Sequence, residues 1–244
     1  MAIVIAGGGT PMEDTDFAVT SGTSTSITFP ATPSDGDIII CQTGCRLTDT
    51  GGSEITLPTG FTATFQHDDF GNNTSPAAAM GYRIASSEAS ATYQVDYSGT
   101  VANADLVGYV ITSNSGGTLS YDSLADDNVS AGWGTGTATG SMDVGFTCSE
   151  DNAACFGMAA MYGDSGGGAA ATNSHTVNYD QNTFNAGFVS TQRIVTSAEQ
   201  FATDISWTSA RAFAGGIMVF VETPAAGGVG IPLAMHHYKM MRAS

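Results

Sequence analysis

Lysine is all but missing from this 244-residue chain: Lys239 stands alone, and together with arginine the basic residues number 6 against 23 acidic ones. The resulting formal charge of −17 repels nucleic-acid phosphates and anionic membrane faces, which argues against a partner of either kind. Leucine is scarce too, so among strong helix formers only alanine is common, and little helix is expected. Charged residues of both signs make up 12% of the chain, and the solvated surface must therefore come from Ser, Thr, Asn and the 31 glycines. No run approaches the ~20 apolar residues of a membrane-spanning helix. Ala2 to Ala6 is a short apolar run without a basic leader, too short for a secretory signal, so the expectation is synthesis in the cytoplasm and exit by another route.

Reactive constellations are equally thin. The four histidines, His67, His175, His236 and His237, sit in neither a G-x-S-x-G nor an H-E-x-x-H setting. Gly163-Asp164-Ser165-Gly166 has the letters of a serine-nucleophile motif, but it opens a Gly- and Ala-rich stretch and lacks partners placed to activate a hydroxyl. Asp68-Asp69 and Asp126-Asp127 are adjacent pairs whose members point apart on a strand or turn, so neither forms an acid/base couple by itself. Calcium is the more reasonable use for acidic loops, with Asp14 and Asp16, or Asp68, Asp69, Asn72 and Asn73, as candidates, yet none has EF-hand spacing. Cys41 with Cys45 and Cys148 with Cys155 lack the spacing of zinc knuckles, and Cys41 and Cys155 read as small buried strand residues, with a disulfide as the alternative. The reading is a non-enzyme with no cofactor and no metal.

What the chain has is short alternating runs bounded by Gly, Pro, Asn and Asp, the signature of an all-β sandwich. Ser24–Phe29, Ile38–Thr43, Ile55–Pro58, Phe61–Gln66, Ala77–Ala85, Ala91–Tyr97 and Asp105–Thr112 read as strands in the first half. Gly140–Phe146, Cys155–Met161, His175–Tyr179, Asn185–Val195, Gln200–Trp207 and Ala212–Val221 do so in the second. Asp35-Gly36-Asp37 before Ile38 matches Ser149 to Asn152 before Ala154, and Ala91–Tyr97 before Ala104–Ile111 matches Gln200–Trp207 before Gly215–Val221. The expectation is one jelly-roll-like β-sandwich over residues 1–223 whose two Greek keys form a pseudo-repeat, 17–112 and 140–222. Trp207 is expected in its core with Phe201, Phe213 and Phe220. Trp133, in a Gly- and Thr-rich stretch taken for a loop, and Asp68 with Asp69 are candidates for surface recognition, for instance of a glycan.

After Pro224 the character changes. Residues 224–230 are a Gly-rich linker, and the rest of 224–244 reads as an extended docking tail. Its apolar anchors would be Ile231, Leu233, Met235, and Tyr238, with His236 and His237 between them and Lys239 and Arg242 to meet an acidic surface. Residues 224–244 carry +2, so the remainder carries −17 − 2 = −19.

Ser21-Gly-Thr-Ser-Thr-Ser-Ile-Thr-Phe-Pro30, Gly36-Asp-Ile-Ile39, Leu57-Pro-Thr-Gly-Phe-Thr62, Gly81-Tyr-Arg-Ile-Ala85 and the spaced Tyr93 and Tyr97 occur in an order that resembles β-sandwich modules of bacteriophage virion proteins and some bacterial surface proteins. Phe61 stands where Trp is commoner in such modules, and the ending Ile231 to Tyr238 looks like that of small phage structural proteins. The resemblance covers Phe17 to Thr112 and implies fold and setting but no catalytic residue. It implies a structural part of a phage particle, foremost a capsid decoration protein, with a tail or fibre adhesin or carbohydrate-binding module as the alternative. The implied partners are the major capsid protein or another virion protein and sister copies in a homo-oligomer such as a trimer. Either Ala2–Ala6 or the tail would anchor it.

Overall fold

The computed structural model describes residues 3–5, 12–16, 23–47, 55–67, 76–98, 101–122, 133–148, 152–162, 169–172, 174–181, 186–196 and 199–225, and among these it is all-β, with no helix. The first half contains β1 (Ile3–Ile5), β2 (Met12–Asp16), β3 (Ser24–Thr28), β4 (Ile38–Leu47), β5 (Ile55–Thr56), β6 (Thr62–His67), β7 (Ala77–Ile84), β8 (Thr92–Tyr97) and β9 (Val101–Ser113). The second contains β10 (Thr118–Tyr121), β11 (Trp133–Cys148), β12 (Ala153–Tyr162), β13 (Ala170–Ala171), β14 (Thr176–Gln181), β15 (Ala186–Val195) and β16 (Glu199–Thr223).

The strands pair antiparallel in two large sheets of the same order. One runs β1-β9-β4-β7-β6 and the other β10-β16-β12-β15-β14. A small sheet, β3-β8-β5, lies outside the first. Its counterpart is made by the first part of β16, which pairs with β11 from Ser141 to Cys148 and with β13. The first half is thus a jelly-roll-like pair of sheets, the second half is a single seven-stranded sheet in which β11 and β13 pair with β16, and the two large sheets face each other across a shared core. The strand order shared by the two large sheets begins at β1 in the first half and at β10 in the second.

Three apolar layers follow from strand alternation, since neighbouring residues point to opposite faces. Ile38 and Ile40 face the other half, against Phe156, Phe188 and Phe220, while Ile39 and Cys41 face the small sheet with Ile27, Tyr93, Val95 and Tyr97. In the second half Ala154 and Phe156 point inward, while Ala153 and Cys155 face Ile205 and Trp207. The halves approach closely at Gly44: a Cβ there would lie 2.7 Å from both the Ala160 Cβ and Phe188 Cδ2. Cys41, Cys45 and Cys155 are buried, and burial pushes the Cys41 thiol well above its ordinary range.

Several expectations change. Ile3 and Ile5 are buried in the shared core, and β1 pairs with β9 at the edge of the protein's own sheet. Trp133 begins strand β11, paired with Gly216, and is not in a loop; nothing in its Gly- and Thr-rich sequence alternates, and β16 supplies the order. Asp14 and Asp16 lie on β2, paired with β9, not on a calcium loop. The two runs around Trp207 and Val219 are one continuous strand, β16. Trp207 packs edge-on against Phe213 at 5.5 Å, but Phe220 faces the opposite layer, because Trp207 and Phe220 are an odd number of residues apart.

Candidate functional site

The outer face of the β3-β8-β5 sheet carries a cleft of about 470 Å³. Strand β8 builds its floor. In Thr92-Tyr-Gln-Val-Asp-Tyr97 the aromatic and valine side chains go into the core and Thr92, Gln94 and Asp96 go out. One wall is Thr56 to Thr59, and the other is Ser87 to Ser90 with Arg83 at the end of β7.

Arg83 ties the walls together. Its Nη1 donates to the Thr59 carbonyl at 3.1 Å, and its Nη2 lies 2.9 Å from Glu88 Oε1. Gly60 permits this approach, because it holds a left-handed φ of +84° and a Cβ there would lie 3.2 Å from Nη1. The Glu88 side chain is only 5% exposed. It also accepts from the Ser86 amide at 3.2 Å and from the Tyr93 hydroxyl at 3.1 Å. Burial, then the neighbouring Glu88 charge, push the Tyr93 phenol well up, so it stays a donor. On the floor Gln94 Nε2 donates to Asp96 Oδ1 at 2.6 Å, and Thr92 Oγ1 pairs with Thr28 Oγ1 at 2.8 Å.

A second polar set lies between the two halves. Ser190 Oγ donates to Gln42 Oε1 at 2.6 Å and lies 2.5 Å from the Tyr109 hydroxyl, while Gln42 Nε2 donates to the Gly157 carbonyl at 3.3 Å. Tyr179 donates its hydroxyl to Asp105 Oδ1 at 2.8 Å. Asp105 is 3% exposed, and desolvation raises its carboxyl to about 6 against the pull of that hydrogen bond. His175 is also buried, 3.5 Å from Thr191 Oγ1. Desolvation, with Arg193 adding to it, lowers its imidazole to about 4. The Gln42, Tyr109, Ser190, Asp105 and Tyr179 contacts bind one half to the other, whereas His175 and Thr191 both belong to the second half.

Both known ends of the described chain gather at one pole. Ile3 pairs with Ser113 and Thr223 with Thr118, so β1 starts and β16 finishes on either side of one turn. Glu222 fastens that turn, its buried carboxylate accepting from the Ser113 and Ser115 hydroxyls.

Among the described residues no three His, Cys, Asp or Glu side chains come together to hold a metal. Asp68, Asp69, Asn72, Asn73, Asp126, Asp127, Gly163 to Gly166 and the whole of Ile231, Leu233, Met235, His236, His237, Tyr238, Lys239 and Arg242 lie outside the described residues, as does the Trp133 side chain. The cleft residues were missed. Arginine content was the available signal: in a chain with 6 basic residues, an arginine directly after Tyr82 on a buried strand needs a partner.

The chain matches no family model and no curated protein. Among solved structures it is similar to the N-terminal CBM22-1-CBM22-2 tandem domain of Paenibacillus barcinonensis Xyn10C, at 11% identity over 92% of this chain and 94% of that one, with a TM-score of 0.22. A likeness of that size carries nothing further.

Proposed function

We propose that this chain is a non-enzymatic structural component of a bacteriophage particle, set on the outer capsid surface as a decoration protein. The observation that carries the reading is a closed β-sandwich with buried polar contacts joining its halves, in which β1 begins and β16 ends at a single pole. Such a body works by shape and by where it is tethered. Leaving at Thr223, the segment with Ile231 to Tyr238, Lys239 and Arg242 starts from a fixed point beside the Ser113–Thr118 turn. A partner gripping that segment would therefore hold the sandwich in one orientation. The sequence resemblance of Ser21–Pro30, Leu57–Thr62 and Gly81–Ala85 supplies the setting.

Co-sedimentation with purified, undecorated phage shells tests this. Full-length protein is expected to sediment with the shells, and a chain ending at Ala225, which keeps all of β16, is expected to stay in solution. Failure of both to bind would remove the capsid assignment. Equal binding by both would move the anchor from the tail to the sandwich.

A further inference from the structure

We propose that the cleft over β8 is a binding site for a neutral oligosaccharide. The inference rests on the cleft alone and holds wherever the protein resides in a particle.

Charge decides the class of ligand first. Arg83 and Glu88 neutralise each other at 2.9 Å, so an anion would have to compete with Glu88 for the guanidinium and a cation with Arg83 for the carboxylate. Neither has an unopposed counter-charge, save the lone Asp96 on the floor. A neutral ligand rich in hydroxyls has no such conflict. A paired guanidinium and carboxylate offers donors and acceptors side by side, and a guanidinium has five N–H donors of which Thr59 and Glu88 occupy only part.

The lining fits the same class. The exposed Ala89 and the half-buried Leu57 offer short apolar patches for the C–H face of a ring, while Thr92, Gln94 and Asp96 offer hydroxyl, amide and carboxylate at the two-residue spacing of one strand face. At about 470 Å³ the cleft falls within the range of roughly 300–1,000 Å³ typical of small-molecule sites.

The site is also built in advance. The turn at Gly60, the Thr59 carbonyl and the threefold grip on Glu88 hold Arg83 in place before a ligand arrives, which reduces the ordering cost of weak polar binding. Pro58-Thr59-Gly60-Phe61 and Tyr82-Arg83, which the sequence presents as separate turn and strand signatures, meet here.

The test is titration of isotope-labelled full-length protein, followed by amide NMR, with neutral trisaccharides of β-1,4-glucose, α-1,4-glucose and β-1,4-xylose, and an oligogalacturonate as the acidic control. At least one neutral trisaccharide is expected to shift the Thr59, Ser87–Ser90 and Thr92–Asp96 amides saturably by ~10 mM, tenfold above a millimolar Kd. Gln94→Ala and Thr92→Val, both at exposed positions, are expected to weaken that binding at least ~5-fold, within the usual range for losing one hydrogen-bonding partner, while amides outside the cleft keep their positions. Three results would overturn the proposal: no neutral sugar moves the cleft amides, the oligogalacturonate alone moves them, or both variants bind as the parent does.

Discussion

The two halves share a topology but not a surface. In the first, β8 and β9 are separate strands and the β7–β8 connection spans Ala85–Ala91, long enough to stand over the small sheet and close a cleft. In the second, the corresponding strands run together as β16, and only Thr196–Ala198 separates β15 from it. The inner sheets match strand for strand because each must cover the other, whereas the outer layers are free to diverge. Function is therefore expected where the copies differ, and the difference is concentrated around Arg83 and Glu88.

The comparison can be broken most severely at the shared layer. Phe156→Ala removes a fully buried ring that lies 4.8 Å from Tyr109 across the halves, and a loss of about 3–5 kcal/mol is expected in denaturant unfolding. Both halves should still melt in a single transition, since the layer belongs to both; two separated transitions would mean that each half stands alone. Gly44→Val, which forces a side chain against Ala160 and Phe188, should cost about 1–3 kcal/mol in the same assay.

Acid–base behaviour sharpens the contrast between the interior and the cleft. The raised Asp105 carboxyl favours the folded state as pH falls from about 6 to about 4, because the native group takes up its proton first. His175 acts in the opposite sense: its lowered imidazole costs stability as pH falls from about 6.5 to about 4, where only the unfolded chain protonates. The two offset each other between about pH 4 and 6. Asp105→Asn should then stabilise the protein at pH 7 by on the order of 2 kcal/mol and expose a stability that rises with pH across that window. A variant as pH-insensitive there as the parent would contradict the assignment. At the small end, Cys41, Cys45 and Cys155 should resist thiol reagents in the folded protein and react on unfolding, as peptide mass spectrometry would show.

Much of this fold was legible. Ile38 to Ile40 and the alternation of Thr92 to Tyr97 place β4 and β8, and the Asp35-Gly36-Asp37 turn precedes β4, the middle strand of its sheet. The all-β class followed from composition. β10 and β13 are too short for alternation to register, and the start of β11 at Trp133 is imposed by its pairing with β16. The break expected between Trp207 and Ala212 is absent because one strand crosses from the outer layer to the inner sheet. The cleft was not legible as a site: Arg83, Glu88 and Gln94 belong to separate stretches, and only pairing of β5, β7 and β8 with their neighbours brings them together.

Hydrogen exchange of the protein free and bound to undecorated shells tests the central claim most directly. A decoration protein held through its tail should gain protection in residues beyond Ala225 and around the Ser113–Thr118 turn, with Thr92–Asp96 unchanged. Protection confined to the cleft, or none anywhere, would contradict it.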